Sequence, residues 1–515
     1  MKIGDHILVD GKSPATICYI GLVDGHPGQW IGIEWWHQQG KHNGTYNDKF
    51  YFQTKHQLTG SFIRQERIQY GNSFTQAICR QYVKSFSNEN ITDDINYSLF
   101  GKQYSDYVVD LSSIIRIDLS SQWVNEFDNN ADIYNNLHQI KELNIRQNLL
   151  KNWSELWVIL EKNFPQLEIL NVSNSRMNFD KSSALNTYIH ITQLVVIDTD
   201  NDCDVFENLC KHFPNLINIH LDLNRLSFIS ENFINQIQNL TNLSLSDNPT
   251  LKSWDPYVNR LGKLKYLEEL ILNNCGIEEI KFPQENQTIE LFPSLKYLYM
   301  SDNNISSYTS INELTCLSSL ISFSILRNPI YPLNQIECET AKQMILARLP
   351  NLTHLNRVFI SRDERRGAEI DYLQRYAQEY FENKLDFLNE HKQYKKLIEK
   401  HGEPLKSNIN ETSKKGLNIR SKLLKVIFEL GDENERKIEK QIPPSTTIAK
   451  LKTLVRRLYS SQLTNDIQIN LFVLIDQNHR ELMSNDYQDI DFYLGNHCLS
   501  QTNDRPSIIR IETIT

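Results

Sequence analysis

Through the middle of the chain, apolar residues recur in one local order, L-x-x-L-x-L-x-x-N-x-L, at intervals of 22–28 residues. The units are Ile114/Ile117/Leu119, Ile140/Leu143/Ile145/Asn148/Leu150 and Leu167/Leu170/Val172, then a weak one at Leu194/Ile197. Leu216/Ile219/Leu221/Asn224/Leu226, Leu240/Leu243/Leu245/Asn248 and Leu267/Leu270/Leu272/Cys275/Ile277 follow. Leu295/Leu298/Met300/Asn303/Ile305 and Leu320/Phe323/Ile325/Asn328/Ile330 end the series. The L-x-L alternation predicts a short strand with its leucines on one face. The asparagine then falls at a bend, where its amide satisfies backbone groups. No unit can bury its apolar face alone, so the pattern predicts a stack of units forming one curved solenoid. Cys275 stands in an asparagine slot, which a buried thiol can fill as a weak donor. The segment 347–373 is expected to close the stack with a polar outer face.

Other periods flank this array. Before it, short β-branched and aromatic runs are separated by glycine turns: GHPGQWIGIEWW (25–36), GKHNGTYNDKFYF (40–52) and GSFIR (60–64). They predict a small twisted all-β module. After it, residues 361–400 are charged, with Ile370, Leu373, Ala377 and Tyr380 at helical spacing, either a spacer and cap or a partner-binding helix. The polar stretch 401–416 reads as a hinge. From residue 423 the pattern runs strand (LLKVIFEL), turn, strand (KIEKQIP), then a helix with Ile448, Leu451, Leu454, Val455 and Leu458 on one face. Ser445, Thr446 and Thr447 open that helix, and INLFVLID (469–476) and SIIRIE (507–512) predict two further strands.

Composition adds limits. The 515 residues allow three or four domains, and 40% hydrophobic with 23% charged residues is ordinary for globular chains. No apolar run reaches the roughly 18 residues that would suggest a membrane span, and the first residues lack a secretory signal pattern. The cysteines (18, 79, 203, 210, 275, 316, 338 and 498) include no C-x-x-C pair, which favours reduced thiols in the cytosol. Cys210 and His212 come nearest to a metal pair, and no metal or cofactor is expected. The chain lacks a P-loop, G-x-S-x-G and H-E-x-x-H, so no enzyme is expected either.

Net charge is −9, yet residues 40–70 carry Lys41, Lys49, Lys55, Arg64 and Arg67 against Asp48 and Glu66. A basic rim around exposed rings suits an acidic peptide with an aromatic end, although spacing alone favours any one of these rings as core of a small barrel. On this reading Lys41 and Arg64 meet the carboxylates. Trp30, Phe52 and Phe62 line the aromatic pocket, and His42 and Asn43 shape the turn.

Several of these motifs are family signatures. G-x-W-x-G-x-E (Gly28, Trp30, Gly32, Glu34), G-K-x-x-G (Gly40–Gly44), Tyr51-Phe52 and G-x-F-x-R (Gly60–Arg64) resemble a CAP-Gly domain over residues 1–70. The family turn is usually G-K-N-D-G, whereas here His42 and Asn43 replace the asparagine and aspartate. The central period resembles leucine-rich repeats, and the C-terminal strand–helix order resembles ubiquitin, ending in Ile-Glu-Thr-Ile-Thr rather than Gly-Gly. That ending suggests a docking module rather than a conjugated one. The expected architecture is a small all-β CAP-Gly barrel (1–70), a linker (71–110) and an α/β leucine-rich-repeat solenoid with C-terminal cap (111–360). A charged helical spacer and hinge (361–417) and an α+β ubiquitin-like β-grasp domain (418–515) complete it.

This combination resembles the tubulin-folding cofactor E family. The resemblance implies a cytoplasmic, cytoskeleton-associated chaperone that binds the Glu-Glu-Tyr/Phe tail of alpha-tubulin. It further implies work with cofactors B, C and D in assembling or separating the αβ heterodimer, without nucleic acid or membrane. The rivals are a microtubule-lattice adaptor, which usually adds a long coiled coil or basic linker, and a proteasome shuttle resting on the ubiquitin-like fold.

Overall fold

The computed structural model describes residues 1–37, 40–83, 114–128, 131–135, 137–180, 186–283, 291–332, 335–382, 387–388, 390–404, 424–431, 437–460, 463, 467–474, 479–495 and 507–514. They fall into two units, Met1–Leu405 and Lys406–Thr515.

Valine, isoleucine and alternating polar residues make the N-terminal strands β1 (His6–Val9), β2 (Ser13–Val23) and β3 (His26–Trp35). The short β4 (Thr45–Tyr46) and β5 (Lys49–Phe50) pair with each other, ahead of β6 (Gly60–Ile63) and β7 (Ile68–Gln69). The main sheet runs β6-β3-β2-β1-β7 and is antiparallel throughout. Ile7, Val9, Ala15, Ile17, Ile31, Ile33 and Ile63 form its private core.

The solenoid obeys one register. Ile117, Leu143, Leu170, Leu194, Ile219, Leu243, Leu270, Leu298 and Phe323 pair side by side in a parallel ladder. Leu355 from the expected cap adds one more parallel rung, and Val358–Phe359 folds back antiparallel to end the sheet. The weak unit needs a correction. Its inward residues are Ile191, Leu194 and Val196, while Ile197 is half-exposed. Pairing of Leu194 between Leu170 and Ile219 leaves only alternate neighbours facing inward, so Val196 takes the core position.

The asparagines hold the bends. Asn303 donates through Nδ2 to the carbonyls of Leu272 (2.8 Å) and Met300 (3.0 Å), and its Oδ1 accepts from the Cys275 and Ile277 amides at 3.0 Å. Asn148, Asn224, Asn248 and Asn328 repeat this double role. Cys275 substitutes for one of them: its Sγ lies 3.2 Å from the Leu245 carbonyl, and burial pushes the thiol up to about 12.

Both ends of the stack are covered. Where a linker was expected from residue 71, β8 (Asn72–Ser73) pairs in parallel with Val124–Glu126. Ser73 then caps the helix Phe74–Ile78 through a capping box with Gln76. Phe74 is fully buried and stacks on Tyr134, closing the open face of the first unit, which the following polar composition had obscured. The remainder of the expected linker, 84–110, lies outside the described residues.

At the other end, Ser361 and Glu364 form a capping box on Arg362–Arg375. Tyr372, Leu373, Tyr380, Phe387, Tyr394 and Leu397 pack with Met344 and Ala347 of the helix Gln335–Arg348. Buried Glu369 accepts from Lys400 (2.7 Å) and His401 (2.6 Å), tying Tyr394–His401 back onto this cap. The expected spacer is therefore a folded helical cap, with Tyr372 rather than the half-buried Ile370 at its centre. Of the expected hinge, 405–416 lies outside the described residues.

In the second unit the sheet order is Lys437–Ile442, Leu424–Leu430, Ser507–Ile514, Gln468–Leu474, Arg480–Leu482. Leu424–Leu430 runs parallel to Ser507–Ile514, and the helix Ile448–Leu458 lays Ile448, Leu451 and Val455 on the sheet core, a β-grasp. Leu423 lies outside the described residues. No described helix is long and apolar enough to cross a membrane.

Asn303→Ala removes the partners of buried amides and carbonyls at one bend. It should lower the thermal stability of the solenoid by about 2–4 kcal/mol, since each orphaned group costs about 1–3 kcal/mol. A loss below about 0.5 kcal/mol in thermal denaturation would show that the ladder is dispensable.

Candidate functional site

The turn Gly40–Gly44 is folded against β6. The amides of Lys41 and His42 donate to the Gly60 carbonyl (3.0 and 3.3 Å), and the Gly60 amide donates to the His42 carbonyl at 2.7 Å. His42 Nδ1 accepts from the Gly44 amide at 3.1 Å, and Asn43 Oδ1 from the Thr45 amide at 3.3 Å. Each side chain thus bonds the backbone two residues on, which is how polar residues stabilise turns. Partial burial lowers the pKa of His42, consistent with a neutral ring accepting at Nδ1. Gly44 has φ +101°, and a Cβ there would fall 1.8 Å from the Phe52 carbonyl oxygen, so only glycine fits.

Phe62 of β6 is the hub of the rings. Its centroid lies 5.2 Å from His42, 5.3 Å from Tyr51, 5.5 Å from Phe52, 6.1 Å from Tyr19 and 6.3 Å from Tyr46. Edge-to-face contacts dominate, the geometry that ring quadrupoles favour. Phe52 is only 5% exposed and forms the floor, while Phe62, Tyr19, Tyr46 and Tyr51 stay half-exposed above it. Tyr19 was invisible to sequence spacing because only the β2–β3 pairing sets it opposite Gly32. Glu34 organises the far loop: its Oε1 accepts from the Lys55 and His56 amides (2.7 and 3.2 Å) and the Thr59 hydroxyl (3.3 Å).

The positive charges are placed unequally. Lys49 pairs with Asp24 at 2.8 Å, Arg67 with Asp10 at 2.5 Å, and Lys55 lies 3.8 Å from Asp200. Arg64 lies 3.7 Å from the Trp30 ring centroid and donates to the carbonyls of Pro27 (2.7 Å) and Gln29 (2.9 Å). It clamps the first half of β3. Lys41 is exposed and has no ion-pair partner among the described residues. So, among the described residues, the sequence count of five cations reduces to one uncommitted lysine, next in the chain to His42 of the ring cluster. Among the described residues the arrangement offers a half-exposed aromatic bed and one exposed lysine on the adjoining turn, features that suit an acidic peptide with an aromatic end.

The CAP-Gly domain model matches residues 3–68. Tubulin-specific chaperone E of Pongo abelii is 31% identical over 484 residues, covering 88% of this chain and 90% of that protein. The Homo sapiens protein of that name is 30% identical over 520 residues, covering 95% and 96%. Among solved structures, the C-terminal ubiquitin-like domain of mouse tubulin-specific chaperone e is 21% identical, with TM-score 0.14, covering 18% of this chain and 89% of that one.

Arg64→Ala should loosen the first half of β3 by about 1–3 kcal/mol, from two lost hydrogen bonds and a lost cation–ring contact. Hydrogen exchange at the amides of residues 24–30 reads this directly. Arg64→Lys, which keeps the charge but cannot span both carbonyls, should recover less than half. Full recovery by lysine would return Arg64 to the role of a simple charge.

Proposed function

Because this chain belongs to the tubulin-specific chaperone E family, we propose that it captures alpha-tubulin at two places, the acidic tail and the folded body. The tail's terminal aromatic side chain lies among Trp30, Phe62 and the floor ring Phe52. Lys41 meets a tail carboxylate, while His42 and Asn43 hold the turn that presents it. Arg64 contributes by fixing Trp30 rather than by reaching out. The observation that carries this reading is the turn itself: Lys41, the one cation of residues 40–70 without an ion-pair partner among the described residues, directly precedes His42, whose ring centroid lies 5.2 Å from that of Phe62.

The body binds along the solenoid's strand face. A flexible tail in one small groove gives modest affinity, because ordering it offsets much of the contact energy. Once the tail is held, the body meets the second surface at an effective concentration of order mM, raising avidity by roughly 10²–10⁴. If that surface binds alpha-tubulin better alone than inside the dimer, the difference biases the dimer toward separation. The protein acts in this way in the cytoplasm with cofactors B, C and D, hydrolysing no nucleotide itself. The ubiquitin-like unit serves as a docking surface for another cofactor or for the degradation machinery.

Lys41→Ala should weaken binding of a Glu-Glu-Tyr peptide by about 1–3 kcal/mol, the scale of one charge-assisted contact. Removing the terminal tyrosine should cost at least as much. Calorimetry showing unchanged affinity for both alterations would remove the groove from the mechanism.

A further inference from the structure

The barrel meets the solenoid twice. Along the chain, β7 ends at Gln69 and β8 begins at Asn72, so only Tyr70 and Gly71 lie between the barrel sheet and the first unit of the stack. Gly71 passes so near the Trp123 carbonyl that a Cβ would fall 1.9 Å from its oxygen. Such a connection is no tether, since a flexible linker needs many residues to give reach.

Through space, the barrel lies on the segments that follow the strands Glu142–Asn144, Ile169–Asn171 and Gln193–Val195. Lys151 pairs with Asp5 at 2.7 Å. His6 Nδ1 lies 3.0 Å from the Leu150 carbonyl, and its ring packs edge-on to Trp36 at 5.1 Å. Burial pushes the His6 imidazole down to about 4, so at neutral pH this contact is uncharged. Arg176, held by Asp198 at 2.9 Å, lies over the Trp36 ring.

Asp200 is the densest point. Its side chain is 8% exposed, and its Oδ1 lies 3.0 Å from His56 Nε2 of the barrel and 3.6 Å from Arg225 Nε of the next unit, with Lys55 Nζ 3.8 Å from Oδ2. A carboxylate this buried is tolerated only with such partners, and they come from both sides of the seam. His56 is in turn placed by the Glu34 bond to its amide.

We propose that the barrel is a fixed part of the solenoid rather than a tethered reader, with Asp200 the positioning residue that locks it in its seat. The tail groove and the strand face then stand at one set distance. Ordering the pair costs nothing at the moment of capture, which is the benefit of preorganisation. The consequence for tubulin rests on the two-site reading above, whereas the seat itself does not.

The test uses the full chain. In Asp200→Lys, hydrogen exchange at residues 54–60 and 5–9 should speed up by about tenfold or more, while the strands Gln193–Val195 and Asn218–His220 keep their protection. His56→Asp, which changes only the barrel side, should do the same, and the double variant Asp200→Lys with His56→Asp should recover protection in part, since the reversed pair is regained while Lys55 and Arg225 still face the new lysine. Glu-Glu-Tyr peptide affinity should stay within about twofold in all three. Affinity for intact tubulin should fall about tenfold or more in the single variants and recover in part in the double, within the range that avidity supplies. Unchanged exchange at 54–60 in both single variants overturns the fixed seat. Changed exchange with unchanged tubulin affinity keeps the seat and overturns its role in two-site capture. A wild-type chain that binds no peptide overturns the tail reading and leaves the exchange result standing.

Discussion

A strand with leucines on one side must cover them with another copy of itself, and a stack of such strands must still be closed at both ends. This constraint organises the whole first unit. Between neighbours the apolar rungs from Ile117 to Phe323 meet in one register. Polar bends would leave buried amides without partners, and the asparagine ladder with Cys275 supplies them. At the last rung, Leu355 and the helices around Tyr372 finish the core. At the first, the cover is Phe74 and its helix, which emerge directly from the barrel. The need to close the stack is therefore what brings the small aromatic module against it.

Much of this could be read from the chain. Leucine spacing locates nine strands, and the glycine and aromatic signatures locate the barrel, because both reflect local physics: pleat alternation, positive φ and ring burial. The misreadings share a different cause. Ile197 was placed inward because a β-branched residue fits either face, and only the neighbouring strands decide the register. Residues 71–83 looked like linker because a short capped helix has no period long enough to recognise. Tyr372 was overlooked in the distal cap since its role depends on packing with Arg348 and His391, remote in sequence.

The candidate site followed the same division. His42, Asn43 and Gly44 act within a few residues of one another, so the turn is written locally. Charges behave otherwise. A count of basic residues cannot tell which have been claimed by Asp10, Asp24 or backbone carbonyls, and four of the five are claimed or engaged. What remains uncommitted among the described residues is Lys41, on the turn whose His42 packs on Phe62, and on the proposed reading its reach depends on the larger surface that carries it.

That dependence is the heart of the two-site account, and tubulin stripped of its alpha-tubulin tail tests it most directly. Full-length protein with cofactor B, incubated with intact or tail-cleaved αβ-tubulin and resolved by size-exclusion chromatography, should separate the intact dimer. The tail-cleaved dimer should resist by one to several orders of magnitude, as lost avidity requires. Equal separation of both forms would contradict the account and leave the barrel without a part in capture.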